Sequence, residues 1–201
     1  MAEFEIAEKI TGRNEGGYAN NPSDRGGETY AGIARNFWPN WKGWEFIDKY
    51  KNQYPGQSAE IKSKLTLAGW INASARVATE PVNDLISQFY KQNFWNVNQL
   101  DFIDDQQLAN SVYDFGVNSG TGTAAKRLQN AYNDIRPAGA TALVSDGDIG
   151  KKSLDAINSM PGEAIYKKYN QLRETYYHSL ATGSQKQFLA SWLSRLKPYQ
   201  V

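Results

Sequence analysis

Glu15, Asp24 and Thr29 are the residues whose types and spacing are suited to chemistry. Glu15 opens the run Glu-Gly-Gly-Tyr18; eight residues separate it from Asp24, and four more separate Asp24 from Thr29. Breaking a glycosidic bond takes one carboxylic acid to protonate the leaving oxygen. It also takes a polar or charged group across the ring to place water or to stabilise the developing cation. Two carboxyls at this spacing in a glycine-rich stretch fit that demand and point to cleavage of a glycosidic bond. A general acid needs a raised pKa, which partial burial beside Tyr18 and the later tryptophans would supply. Each residue also has an ordinary reading: Glu15 as a solvated helix end, Asp24 as turn chemistry in Pro22-Ser-Asp-Arg-Gly-Gly, Thr29 as part of a strand edge. Tyr30, one residue on, remains open as the group serving in place of Thr29.

The elements that must position these residues follow from periodicity. Phe4, Ala7 and Ile10 recur at helical spacing, so residues 4–11 are expected to be a helix that Gly12 and Asn14 end. Residues 16–33 hold five glycines and one proline, too many for a helix, and predict a loop with a short irregular β-hairpin. An aromatic-rich stretch from Phe37 to Tyr54 precedes helical sequence over 58–92, with Pro81 opening its second piece. Asp104-Asp105 fits the cap of a helix through Leu108, Val112 and Phe115. Gly116, Gly120 and Gly122 interrupt it, and a further helix begins near Thr123. Residues 136–148 predict a loop. Ser153 to Ile157 starts another helix, and residues 163–181 and 185–196 complete the set, with Ile165, Tyr169, Leu172 and Tyr176 on one face. The class is mainly α.

Composition narrows the chemistry. With 22 basic and 21 acidic residues the net charge is +1, without the basic excess of a nucleic-acid binder. No cysteine is present, which excludes disulfides, a thiol nucleophile and thiolate metal sites. A single histidine, His178, argues against a histidine-rich metal site and leaves little for a Ser-His-Asp triad. Acid–base work therefore falls to carboxylates, and neither a metal nor another cofactor is expected. No stretch approaches the ~18 apolar residues of a membrane span. The N-terminus lacks the basic and apolar regions of a standard secretory signal, so a route such as a holin-like pore or another export partner is expected to carry the protein from the cytoplasm to the wall.

A second notable segment is Asp114-Phe-Gly-Val-Asn118-Ser-Gly120. Its glycines allow close approach of backbone to a ligand, and the Asn118 amide can bond a sugar hydroxyl and an N-acetyl group. The same Asn also fits a cap for the next helix. Asp146-Gly-Asp-Ile-Gly150 lacks the oxygen ligands and closing Glu of a calcium loop, and reads as a turn into a helix.

Together these motifs resemble a known family. Glu15-Gly-Gly-Tyr18, Asp24-Arg-Gly-Gly-Glu-Thr29 and Gly32-Ile33 are similar to the N-terminal signature of the glycoside hydrolase 108 family, the lysozyme-like N-acetylmuramidases. Asp114 to Gly120, Ala125-Lys-Arg-Leu-Gln129 and Asp146 to Gly150 resemble the peptidoglycan-binding region that follows it, and Phe188 to Leu196 resembles its C-terminal end. Some members carry the label "secretion activator protein", which names no chemistry. The resemblance implies a lysozyme-like helical fold and hydrolysis of the β-1,4 bond between N-acetylmuramic acid and N-acetylglucosamine. It also implies a catalytic role for Glu15. Tyr18, Tyr30, Asp114 and Asn118 are expected to contact peptidoglycan glycan strands. Phage-type lysozymes usually leave five residues between the Asp and the Thr, against four here, which keeps Thr29 and Tyr30 as alternatives. Residues 1–93 are expected to form the catalytic region and 94–201 the peptidoglycan-binding region, the two packed as one lysozyme-like unit. A non-catalytic peptidoglycan-binding or secretion-associated protein is the rival reading, and a hydrolase for chitin-like polymers a third.

Overall fold

In the computed structural model, which describes residues 1–11, 18–20, 25–53 and 81–200, the chain is mainly α. A small antiparallel sheet follows the first helix, as in a lysozyme-like fold. The chain divides into two units, residues 8–91 and residues 1–7 with 92–201. Glu15 and Asp24 lie outside the described residues, as do the stretch 54–80 and its expected helical sequence.

Helix α1 spans Phe4–Thr11. Phe4, Ala7 and Thr11 are buried along one arc, while Ile10 is exposed. The expected stripe is thus shifted: Ile10 lies off the arc that Phe4, Ala7 and Thr11 define on a 3.6-residue helix.

In the unit of residues 8–91, strands β1 (Tyr18–Asn20), β2 (Glu28–Tyr30) and β3 (Ile33–Ala34) pair antiparallel in chain order. Tyr18 faces Tyr30, Ala19 faces Thr29 and Asn20 faces Glu28; on the other edge Thr29 faces Ala34 and Tyr30 faces Ile33. The two-residue turn between β2 and β3 has positive φ at both positions, 47° at Ala31 and 76° at Gly32. Such turns match the twist of the strands they join. Gly32 adopts this conformation without strain, but Ala31 does not. Ala31 is fully buried, and its carbonyl accepts a 2.7 Å hydrogen bond from the Tyr90 hydroxyl, which holds the turn. Helices α2 (Trp44–Gln53) and α3 (Pro81–Tyr90) supply Trp44, Ile47, Val82, Ile86 and Phe89 to the same core.

The other unit is built on four helices and a tail. Helix α4 (Gln106–Ser119) begins at Asp105, whose carboxylate accepts from the Leu108 amide at 2.7 Å; Asp105, not Asp104, is the cap. A single break at Gly120, φ 90°, separates α4 from α5 (Thr121–Ile135). Helices α6 (Lys151–Asn158) and α7 (Gly162–Leu180) follow. The segment expected as one helix over 185–196 is instead a 3-10 turn, Gly183–Phe188, and a short helix α8, Leu189–Leu193. The buried stripe of α7 runs through Ile165, Tyr166, Tyr169, Arg173 and Tyr177. Leu172 and Tyr176 are only half-buried, so the stripe lies one residue from the expected face because a charged residue, Arg173, occupies it. Phe4, Trp95 and Tyr113 pack edge to face with centroids 5.6–5.8 Å apart. The turn Asp146 to Gly150 is pinned by Gln129, which donates to Asp146 and to the Asp148 carbonyl and accepts from the Gly147 amide.

Asp105 has a second duty: its other carboxylate oxygen accepts from the Tyr199 hydroxyl at 2.6 Å, fastening the C-terminal tail to the start of α4. Asp105→Ala removes both contacts and is expected to cost about 1–2 kcal/mol, read as a lower denaturation midpoint. Asp104→Ala should leave that midpoint nearly unchanged.

Candidate active site and its supports

Along the chain, β1 begins three residues after Glu15, and Asp24 falls between β1 and β2. The described part of the candidate site is therefore this hairpin. Side chains alternate across a strand. Glu28 and Tyr30 are buried on one face of β2, and Thr29 between them is half-buried on the other. Thr29 donates to the Gly27 carbonyl at 3.2 Å. Tyr30 has no exposed surface. Thr29 and Tyr30 thus stand on opposite sides of the sheet.

Beneath the sheet lies a cluster the sequence reading passed over. Glu28 is 9% exposed. Its Oε1 accepts from the Tyr18 hydroxyl at 2.8 Å and pairs with Lys51 Nζ at 3.0 Å; its Oε2 pairs with Arg35 Nε at 2.8 Å. Arg35 also forks onto Asp48 at 2.7 and 3.1 Å, and its guanidinium lies 4.3 Å from the centroid of the Trp44 ring. The Arg35 hydrogen bond is the main cause that holds the Asp48 carboxyl below its ordinary range. Burial, followed by the bond to Glu28, pushes the Tyr18 hydroxyl up to about 12. Gly27 precedes Glu28 at φ 66°, and a Cβ there would meet the Asn36 amide, which holds the Arg25 carbonyl. Two signals were available in the sequence: Glu28 shares the parity of Tyr30, and Asp48 and Lys51 are one helical turn apart.

Asp114 and Asn118, in the other unit, have different surroundings. Asp114 Oδ2 accepts from Arg173 and Oδ1 from Arg195, each at 2.6 Å. Arg173 is 1% exposed and also donates to Ser111 and Tyr177. Both Asp114 oxygens are therefore occupied by guanidinium groups. Asn118, one turn on, is exposed at the end of α4. Gly120 rather than Asn118 stands at the cap position of α5, and no side chain bonds there. His178 is exposed. Among the described residues no group of three or more His, Asp or Glu is placed to hold a metal ion, and no helix is long and apolar enough to cross a membrane.

The helices and the small sheet make a lysozyme-like fold. Residues 8–120, more than half of the chain, match the family model described as Glycosyl hydrolase 108, and the chain belongs to that family. Residues 124–197 match a second model, Predicted Peptidoglycan domain, which supports peptidoglycan as the partner and the cell wall as the place of action. Among solved structures the chain is similar to Brucella abortus SagA, at 24% identity and a TM-score of 0.57, over 96% of this chain and 88% of that one. That likeness speaks to the fold alone. The curated proteins contain no match.

Two outcomes follow from the buried charges. Asp114→Asn leaves Arg173 buried with no anion and is expected to cost about 3–5 kcal/mol, seen as a lower midpoint in denaturant. Tyr18 has a folded pKa of about 12 against an ordinary 10.0. Its contribution to stability is therefore complete below pH 10 and lost as pH rises through 12. A phenolate absorbance titration should lose one late step in Tyr18→Phe, and a step near pH 10 instead would contradict the buried bond to Glu28.

Proposed function

We propose that this protein is an N-acetylmuramidase that hydrolyses the β-1,4 bond between N-acetylmuramic acid and N-acetylglucosamine in peptidoglycan. The observation that carries the reading is that Glu15, Asp24 and Thr29 all fall inside the segment matched to the glycosyl hydrolase family. Their spacing suits carboxylate-based glycoside cleavage.

In this mechanism Glu15 gives its proton to the glycosidic oxygen as the bond to the anomeric carbon breaks. Water attacks that carbon from the opposite face, and Asp24 takes the water's proton. The products are two shorter glycans, one with a new reducing end on N-acetylmuramic acid, and solvent exchange restores both carboxyls. Thr29 orients the water through its hydroxyl. It is favoured over Tyr30 because Thr29 keeps exposed surface while Tyr30 has none. Inversion is assigned on the similarity of the Glu–Asp spacing to phage-type lysozymes, and it requires carboxyls roughly 6.5–9.5 Å apart. Tyr18 flanks the acid, and exposed Asn118 offers its amide to an N-acetyl group. Asp114 serves by holding α4 in place rather than by touching sugar. The chemistry assigned here to Glu15 and Asp24 needs no metal.

The test is digestion of purified, peptide-stripped peptidoglycan by wild type and Glu15→Gln, with mass analysis of the fragments. Wild type should release fragments with reducing N-acetylmuramic acid ends. Glu15→Gln should lose at least about 10²-fold in rate with an unchanged circular dichroism spectrum. Full activity in Glu15→Gln would sink the assignment, and binding by wild type without cleavage would favour the non-catalytic reading. Early products should carry the α anomer at the new end, and β products would mean retention.

A further inference from the structure

A three-stranded sheet this small does not fix its own register. β1 and β2 have three residues each and β3 has two; ladders so short are marginal without help. Register matters because a one-residue slip turns every side chain of a strand to the other face. Here a slip of β2 would bring Thr29 into the buried face and turn Glu28 and Tyr30 outward.

Glu28 is the residue with the contacts to prevent this. Its main chain is paired opposite Asn20. Its carboxylate reaches diagonally to the Tyr18 hydroxyl at 2.8 Å, so it reads the position of β1 two residues away. The Glu28 carbonyl accepts from the Arg35 amide at 2.8 Å, and its carboxylate meets the Arg35 side chain at 2.8 Å, so it reads the residue that follows β3 twice. Lys51 of α2, 3.0 Å away, anchors the same carboxylate to a helix. A buried carboxylate is costly unless it is paired and hydrogen-bonded. Glu28 meets that condition only in the observed register, where its two cations and one hydroxyl converge. Polar groups that fix register at some cost in stability are a known use of buried charge.

We propose that Glu28 is the register pin of this hairpin and, resting on the muramidase reading above, the positioning residue that keeps the Thr29 hydroxyl on the open face of the sheet. Glu28 touches neither substrate nor water in this role. Its influence on turnover passes through Thr29.

The test is a double-mutant cycle on soluble peptidoglycan fragments, with kcat and KM measured for wild type, Glu28→Gln, Thr29→Ala and the double variant. Melting curves establish that each is folded at the assay temperature. Glu28→Gln keeps the size of the side chain but gives up the charge. It is expected to lower kcat by about 10- to 100-fold with KM within about twofold. In the Thr29→Ala background the same change should add less than about twofold, because the hydroxyl it positions is gone. Tyr18→Phe should show the same pattern with a smaller loss, and it carries the cycle if Glu28→Gln does not fold. Wild-type kcat in folded Glu28→Gln would overturn the proposal. So would an equal loss in both backgrounds, which a merely structural role would produce. The two readings separate cleanly. Activity in Glu15→Gln defeats the muramidase, whereas an inactive Glu15→Gln beside a fully active Glu28→Gln defeats only the register pin.

Discussion

One carboxylate shared between two guanidinium groups holds the larger unit together. Asp114 projects from the middle of α4, Arg173 comes from α7, and Arg195 comes from the tail beyond α8. Burying a charge is costly, and leaving it unpaired is costlier. Loss of Asp114 would strand the guanidinium of Arg173, which is 1% exposed. The surroundings reinforce the arrangement. Arg173 lies over the Phe115 ring at 5.1 Å, and Tyr177 receives one of its protons at 3.1 Å and stacks on Trp192 at 6.0 Å. Aromatic and ionic contacts therefore converge on one junction, and they tie the C-terminal segment to α4 and α7.

The sheet unit reaches the same solution with different residues. Glu28 is enclosed by Arg35, Lys51 and the Tyr18 hydroxyl, as Asp114 is by two arginines. In each case a carboxylate with little exposure makes one element depend on distant parts of the chain. For the sheet this has a chemical consequence. The carboxyl adjacent to Thr29 in sequence has both oxygens engaged by cations and a phenol, so it is not free to exchange protons with a ligand.

The two family segments do not correspond to two cores. Their boundary falls between residues 120 and 124, at the Gly120 turn that joins α4 to α5. Helix α4, from the hydrolase segment, packs on α5 and α7, from the peptidoglycan segment. Its buried face of Leu108, Val112 and Phe115 would be left bare by a cut at the family boundary. The peptidoglycan segment thus supplies packing to the hydrolase segment as well as recognition.

The sequence by itself determined the helical class, the hairpin after α1, a cap at Asp104-Asp105 and a glycine break between the helices on either side of Gly120. These depend on local rules: periodicity, capping and glycine. The structure chose Asp105 as the cap and kept Gly116 and Gly122 inside helices. It also made Glu15, Asp24 and Thr29 visible, because carboxyls at a fixed spacing among glycines are legible without a fold. Only the tertiary structure decided where charges are buried. Hydropathy placed Leu172 and Tyr176 on the inner face of α7 and set Arg173 aside, since an arginine is buried only when a partner such as Asp114, 59 residues away, neutralises it. Glu28 was passed over for the same reason. The alternation along β2 puts it on the buried face beside Tyr30, but whether a carboxylate is tolerable there depends on Arg35 and Lys51 arriving from other elements. Local patterns follow from neighbours in sequence, whereas the pairing of buried charges follows from neighbours in space, which the chain acquires only on folding.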